Sequence, residues 1–222
     1  MKLRILLADD HELVRRGLSD LLKAYEGWEV CGEASDGREA LELARRLKPD
    51  VIILDIGMPN LNGLSTTRQL LQHDPNFKII ILTITDAEQV IREALDAGAR
   101  GFVLKSDAAR DLVSAIEAIQ SKRMFFTPRV NDLVLAGFLE KGHAISKIAP
   151  PNLPNLTPRE REITQLLAEG MSSKEVASLL NLSTKTVETH RSNIMRRLSL
   201  HSIRDLVVYA IKNNIIQIEV PQ

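Results

Sequence analysis

The sequence predicts two domains, an α/β domain with a parallel sheet over residues 1–124 and an all-α domain over residues 155–222. Two observations predict this division. Short apolar runs alternate with amphipathic segments as far as residue 123, a pattern typical of a parallel sheet with helices on both faces. Beyond Leu156 the strand-like runs stop, and only short helical patterns remain.

Five apolar runs predict a five-stranded sheet. They are LRILLA (3–8), WEVCGE (28–33), VIIL (51–54), KIIILT (78–83) and GFVL (101–104). Runs that are apolar throughout, rather than alternating with polar residues, indicate strands buried on both sides. Between the runs, apolar residues recur three or four positions apart, which predicts five helices that cover the sheet.

The segment 125–154 is predicted to be a linker that contains a helix over 128–140. Pro128 would begin this helix. Its apolar side is formed by Val130, Leu133, Val134 and Phe138. The stretch APPNLPN at 149–155 has three prolines in seven residues, a composition typical of an extended linker.

The C-terminal domain has clear helix start signals. Thr157 and Glu160 form a capping box around Pro158, and Gly170 is expected to end that helix. Three further helices are predicted to start at Ser172 or Ser173, at Ser183 and at Ser202. Two of these helices meet at a tight turn, and the second has polar and basic residues on its outer face. This pattern predicts a helix-turn-helix.

The composition restricts the class of protein. Acidic and basic side chains are equal in number, so the net charge is zero and a strongly basic arm is excluded. The single cysteine, Cys31, cannot form an intramolecular disulfide, which fits a core position and a reducing compartment. No apolar window approaches the roughly 20 residues of a membrane span, so we expect a soluble, cytoplasmic protein.

Five chemically active side chains follow the predicted strands. They are Asp9 and Asp10 after the first strand, Asp55 after the third, Thr83 at the end of the fourth and Lys105 after the fifth. Because ligands of open parallel sheets bind beyond the carboxyl ends of the strands, we expect these side chains to lie together. Three neighbouring carboxylates repel one another, and Mg²⁺ in a hard oxygen site would relieve that repulsion.

An aspartate beside Mg²⁺, a hydroxyl and a lysine can attack a phosphoryl group. Asp55 would become an aspartyl phosphate, while the metal and Lys105 neutralise the charge on the transferring group. Gly57 would leave its carbonyl free to face the metal, and Pro59 would stiffen the loop. Each aspartate alone is more simply a helix cap or a turn residue, but capping explains the five positions together much less well.

These segments resemble a known family. ILLADDHELVRRGL, DVIILDIGMPNLNGL, IIILT and GARGFVLKSD resemble the receiver domain of bacterial response regulators. LTPREREITQLLAEGMSSKEVASLLNLSTKTVETHRSNIMRRL resembles the LuxR-type DNA-binding domain. The pair in this order is similar to the NarL/FixJ family, and the resemblance implies a flavodoxin-like sheet of order 2-1-3-4-5.

The resemblance implies roles for the residues around the metal. Asp55 matches the phosphoacceptor, and Asp10 matches the direct Mg²⁺ ligand. Asp9 matches the neighbour that reaches the metal through water, and the Gly57 carbonyl is a further ligand.

The resemblance also implies a switch. Thr83 matches the hydroxyl that swings to the phosphate, and Lys105 the cation that pairs with it. Phe102 matches an aromatic position whose ring turns inward when Thr83 moves, although plain core packing also explains a phenylalanine there. Ser106 stands where many family members have proline, so the isomer of the 105–106 peptide is left open.

The third C-terminal helix, from Ser183 to about Leu198, is expected to bind DNA. Its candidate contacts are Lys185, Glu188, Thr189, His190, Arg191 and Ser192. Lysine and arginine contacts to phosphate set the position of such a helix, whereas a few side chains near its N-terminus read base edges. Glu188 either accepts from cytosine N4 or pairs with Arg191 or Ser192 on the helix surface.

A single helix-turn-helix binds weakly, so a homodimer on two half-sites of double-stranded promoter DNA is expected. The resemblance implies dimerisation through the last helix, at about 202–213, where Val207 and Ala210 serve as interface or as core. It also implies a sensor histidine kinase that phosphorylates Asp55 and thereby favours DNA binding by the dimer. The protein would regulate transcription and would not be an enzyme.

Three alternatives predict other functions. An enzyme of the haloacid dehalogenase type places a second acid two residues after its nucleophile, where this chain has Gly57. A flavodoxin-type flavin site needs a loop rich in hydroxyls and glycine after the first strand, where this chain has ADDHE. A degenerate receiver that is not phosphorylated is disfavoured by the full set of acids, hydroxyl and lysine.

Overall fold

The computed structural model describes residues 2–127, 130 and 156–216. The chain divides into two compact units, one α/β and one helical. Of the helix predicted over 128–140, only Val130 is among the described residues, and most of the predicted linker also lies outside them. No helix in the described part of the chain is long and apolar enough to cross a membrane.

The N-terminal unit is a parallel sheet of six strands in the order β2-β1-β3-β4-β5-β6. The strands are β1 (Leu3–Ala8), β2 (Trp28–Ala34), β3 (Val51–Asp55), β4 (Ile79–Thr83), β5 (Gly101–Leu104) and β6 (Phe125–Phe126). The helices are α1 (Glu12–Lys23), α2 (Gly37–Leu47), α3 (Gly63–His73), α4 (Glu88–Asp96) and α5 (Ala108–Gln120). The parallel sheet, its helices and the implied order of the first five strands are confirmed.

The prediction of five strands was wrong by one, because β6 adds to the β5 edge. Phe125 N donates to Arg100 O over 3.0 Å, and Phe126 lies in register with Phe102. A two-residue strand is too short to show a hydrophobic period, so only its pairing with β5 defines it. β6 uses residues that the sequence analysis assigned to the linker.

The sheet core follows from the period of two along each strand. Ile5, Leu7, Ile53 and Leu82 pack on one face against apolar side chains of α1 and α5. The residues between them in the strands are also buried, so the strands are covered on both faces. This burial makes the sheet a rigid support for the residues that follow its strands.

The Lys105–Ser106 peptide is trans, since none of the described peptide bonds is cis.

The C-terminal unit is helical. Its helices are α6 (Pro158–Ala168), α7 (Ser173–Leu180), α8 (Thr184–Arg197) and α9 (Ile203–Lys212). The predicted caps are confirmed, with Thr157, Ser172 and Ser202 forming capping boxes and Ser183 capping α8. Asn181 takes the left-handed conformation, with φ of 52°, and so makes the tight turn between α7 and α8.

One apolar core holds α8 in place. Val187 and Ile194, seven residues apart on α8, are fully buried. They belong to a cluster with Ile163, Leu166, Val176 and Leu206 from the other three helices. The opposite side of α8 is therefore left to its polar residues, as a recognition helix requires.

Candidate functional site

The structure brings the predicted acidic residues and Lys105 together at the carboxyl edge of the sheet. Lys105 Nζ lies 2.9 Å from Asp9 Oδ2 and 3.0 Å from Asp55 Oδ2. Asp9 and Asp55 are almost fully buried, whereas Lys105 is slightly exposed. The ammonium group thus bridges two carboxylates that would otherwise repel each other at this depth.

Burial changes the ionisation of these groups. Desolvation is the largest influence on Asp55 and, with repulsion from Asp9 and Asp10, raises its pKa to about 6, although Lys105 acts in the opposite direction. For Lys105, burial alone would lower the pKa, but Asp55 and Asp9 outweigh it and the pKa is raised. The raised pKa of Lys105 keeps it charged at neutral pH, and the pKa of about 6 shows that burial makes the charged form of Asp55 less favourable than that of an ordinary aspartate.

The same residues fit a divalent cation. Asp9, Asp10, His11 and Asp55 each offer one ligand atom, and these atoms all lie within 4.8 Å of one another. Asp55 Oδ1 is buried, and no described residue donates a hydrogen bond to it. A buried carboxylate oxygen with no donor is costly, and a cation would satisfy it. The residues present therefore suit Mg²⁺, which prefers carboxylate oxygens.

His11 was missed by the sequence analysis. Its Nδ1 lies 2.9 Å from Asp10 Oδ1 and 3.2 Å from Asp9 Oδ1. Its backbone N–H also donates to Asp9 Oδ1 over 2.9 Å. The signal that could have found it is its place directly after the two aspartates, within the ADDHE stretch.

The switch candidates are both buried in the sheet. Thr83 is fully buried, and its Oγ1 accepts from Thr85 N over 3.2 Å. It follows Leu82, which is in register with Asp55 on the neighbouring strand. Phe102 is 1% exposed, so in this structure its ring already lies inside the protein. Gly57 is partly exposed two residues beyond Asp55, and the role of its carbonyl stays a prediction.

Gly63, the first residue of α3, is a second residue that the sequence analysis missed. A Cβ atom at this position would lie 2.1 Å from the carbonyl oxygen of Asp55 and 3.1 Å from Ile56 Cα. Gly63 N also donates to Ile56 O over 3.1 Å. The first residue of α3 thus lies in close contact with the backbone of Asp55, the candidate phosphoacceptor. Only glycine allows that contact, because any Cβ atom at position 63 would clash.

The candidate DNA contacts share one helix, α8. Lys185, Glu188, Thr189 and Ser192 are exposed, and His190 and Arg191 are partly exposed. Within the described residues Glu188 has no hydrogen bond or ion pair, so the pairing with Arg191 or Ser192 is not formed here. The exposed Thr189 donates from its Oγ1 to the Lys185 carbonyl over 2.9 Å.

The basic residues at the end of α8 are held within the unit. Arg197 forms an ion pair with Glu160, whose carboxylate also accepts from the N–H and hydroxyl of Thr157. Burial alone would raise the pKa of Glu160, but these hydrogen bonds outweigh it and the pKa is lowered. Arg196 donates to Asn193 Oδ1 over 3.1 Å. Arg197 therefore ties the capping box of α6 to α8.

The two predicted interface residues on α9 differ in exposure. Ala210 is fully buried, and Val207 is partly exposed. Ile203 and Val208 are 44% and 41% exposed on the same helix. In this structure Ala210 contributes to the interior of the helical unit, and the apolar outer surface of α9 lies at Ile203, Val207 and Val208.

We predict that Asp55→Asn stabilises the protein in metal-free buffer. An aspartate in an unfolded chain titrates near pH 4, so between about pH 4 and the folded pKa of about 6 the folded chain keeps a proton that the unfolded chain has released. The stability of the wild type should therefore fall as the pH rises through this window.

Thermal melts in EDTA at pH 4 to 8 measure this effect. Above pH 6 the variant should melt higher by on the order of 5 °C, and Mg²⁺ should raise the midpoint of the wild type alone. Identical pH dependence of the two proteins would contradict the assignment of the buried charge to Asp55.

A methyl group at position 63 should disturb the site through the backbone. Gly63→Ala forces the Asp55 peptide or α3 to move, so we expect a loss of roughly 1–3 kcal/mol in unfolding free energy and weaker Mg²⁺ binding. Gly17→Ala is the matched control, because Gly17 lies on α1 with nothing within 4 Å of an added Cβ. Denaturant melts and titration calorimetry measure both effects, and equal behaviour of the two variants would refute this role.

Two family models match the chain. The response regulator receiver domain matches residues 5–117, and the luxR family of bacterial regulatory proteins matches residues 154–210. The response regulator protein VraR of Staphylococcus aureus is 36% identical over 217 residues, which cover 98% of this chain and 100% of VraR.

Solved structures give the same relationship. The complex of the response regulator RcsB with DNA is 28% identical with a TM-score of 0.59, and the match covers 96% of this chain and 99% of RcsB. The isolated receiver domain of RcsB from Salmonella enterica serovar Typhimurium, with the phosphomimetic BeF₃⁻, is 29% identical with a TM-score of 0.56 and covers 60% and 99%. The chain therefore belongs to the two-component response regulators that join a receiver domain to a LuxR-type helix-turn-helix, which are DNA-binding transcription regulators and not enzymes.

Proposed function

We propose that a sensor histidine kinase phosphorylates Asp55 in the presence of Mg²⁺, and that this modification controls dimerisation and promoter binding. The observation that carries the proposal is the buried Asp55 carboxylate, paired with Lys105 through one oxygen while the other has no donor among the described residues. We infer that this incompletely paired carboxylate is the nucleophile that attacks phosphorus.

The chain's own residues prepare Asp55 for this reaction. In the transfer, an Asp55 oxygen forms a bond to phosphorus while the bond from phosphorus to the kinase histidine breaks and the imidazole leaves. The Lys105 ammonium group forms an ion pair with Asp55, and it can move to form an ion pair with the phosphoryl oxygens. Asp9, Asp10 and the Gly57 carbonyl would hold Mg²⁺, which when bound neutralises charge on the phosphoryl group.

Burial gives the site a second property. Asp55 is 1% exposed and Thr83 is fully buried, so little water reaches either side chain. A phosphoryl group at Asp55 adds negative charge one strand away from Thr83, and we propose that the hydroxyl of Thr83 moves to bind it. Phe102 lies on β5, the strand next to the one that ends at Thr83, so the movement of Thr83 changes the packing around Phe102. The arrangements of these two side chains before and after phosphorylation are the two states of the switch.

The helical unit provides the output. Exposed residues near the start of α8 would read bases, and Lys185 and Arg191 would contact phosphates. Ile203, Val207 and Val208 on α9 would pack against a second copy, which places two α8 helices on two half-sites. Ala210, being fully buried, would support this surface from inside.

The comparisons support the proposal by analogy. RcsB is a response regulator solved with DNA, and its receiver domain was solved with a phosphomimetic. The proposal extends these two properties to this chain and adds a cytoplasmic location, where a kinase and promoter DNA are both within reach.

Labelling by a small phosphodonor tests the site. Wild-type protein with Mg²⁺ should form an acid-stable, base-labile acyl phosphate, and Asp55→Asn should form none because the nucleophile is gone. Asp50→Asn is the matched control, since Asp50 is an exposed acid at the opposite end of β3. Intact-mass spectrometry reads the added phosphate, and persistent labelling of Asp55→Asn would defeat the assignment.

Binding to promoter DNA tests the assignment of α8. Lys185→Ala should weaken binding to all sequences and reduce the slope of log affinity against log salt by about 1, because one phosphate contact is lost. Thr189→Ala should instead cost roughly 1–3 kcal/mol at one base position. Lys23→Ala is the control for charge, since Lys23 is exposed on α1.

Fluorescence anisotropy over a set of single-base variants, at several salt concentrations, separates these effects. A uniform loss for Thr189→Ala, or a purely sequence-dependent loss for Lys185→Ala, would contradict the two assignments.

A further inference from the structure

We propose that His11 is a nitrogen ligand of the metal site, and that it makes this site prefer transition-metal cations, Mn²⁺ among them, over Mg²⁺. The proposal rests on the metal site of the proposed function and deepens it. A site built from carboxylates and a carbonyl is a hard oxygen site, whereas one imidazole makes the donor set mixed.

The geometry places the imidazole among the carboxylates. His11 Nδ1 lies 2.9 Å from Asp10 Oδ1 and 3.2 Å from Asp9 Oδ1. The ligand atoms of Asp9, Asp10, His11 and Asp55 fit within 4.8 Å of one another, so one ion can reach all four. The hydrogen bond from His11 N to Asp9 Oδ1, over 2.9 Å, keeps this part of the backbone next to the acids.

A second observation points to a ligand at this place. Asp55 is 1% exposed, and its Oδ1 accepts no hydrogen bond from any described residue. The cluster therefore contains a buried oxygen that lacks a partner, beside an imidazole that is close enough to share its cation. An exposed group of acids has neither feature.

The chemistry predicts which cations gain from His11. Mg²⁺ binds through oxygen and keeps several waters, so it gains little from an imidazole. Mn²⁺ accepts the same carboxylates, and cations later in the Irving–Williams order, such as Co²⁺ and Ni²⁺, gain progressively more from a nitrogen donor. Loss of the imidazole should therefore reduce affinity selectively, by an amount that grows from Mg²⁺ through Mn²⁺ to Ni²⁺.

Pulsed electron paramagnetic resonance of Mn²⁺ bound to the full-length protein tests the ligand directly. Wild-type protein should show modulation from a directly bound ¹⁴N nucleus, and His11→Ala should lose it. His73→Ala is the matched control, because His73 is an exposed histidine on α3, and it should leave the signal unchanged. The wild-type spectrum tests the nitrogen ligand by itself, even if a variant fails to fold.

Titration calorimetry tests the selectivity. His11→Ala should lower Mn²⁺ affinity by at least roughly 10-fold, because even the loss of a residue that only supports a metal ligand costs about 10- to 100-fold, and it should lower Mg²⁺ affinity much less. Equal losses for both cations would mean that His11 only orients the carboxylates, which would overturn the inference.

Two outcomes separate this inference from the proposed function. Bound Mn²⁺ that needs Asp55 but shows no ¹⁴N coupling would overturn the role of His11 and leave the phosphorylation site intact. Mn²⁺ and Mg²⁺ binding that is unaffected by Asp10→Asn together with Asp55→Asn would remove the metal site itself, and with it both proposals.

Discussion

The ion pairs of Lys105 with Asp9 and Asp55 are the interaction on which the acidic edge of the sheet depends. Two carboxylates buried side by side repel each other strongly, and the ammonium group between them keeps both in the folded protein. The compensation is incomplete, because one oxygen of Asp55 has no donor among the described residues. That incompleteness is a physical reason to expect a further cation at this site.

A comparable constraint organises the helical unit. Glu160 accepts from Thr157 in the capping box of α6 and also pairs with Arg197 at the end of α8. One carboxylate thereby couples the start of one helix to the orientation of another, and Val187 and Ile194 fix the rotation of α8 about its own axis. In each unit an ion pair with a buried carboxylate thus holds the candidate site residues in position.

Much of this arrangement was predictable from local patterns. Apolar runs predict buried strands, Ser and Thr before helical periods predict caps, and Asp55 after VIIL predicts a residue at a strand end. Other features carry no such pattern. The strand β6 is defined by its hydrogen bonds to β5, and the importance of Gly63 depends on the distance to a peptide eight positions earlier. The sequence pattern around Ala210 does not distinguish a position in the core from one in a dimer interface.

The sequence by itself determined the two-domain division, the parallel sheet and the residues that follow its strands, because hydrophobic period and capping are local properties of the chain. Only the tertiary structure decided how charges pair: Lys105 bridges Asp9 and Asp55, and Arg197 is bound to Glu160. The physical reason is that pairing depends on distances of a few ångströms between residues far apart in the chain, and burial sets the strength of each pair.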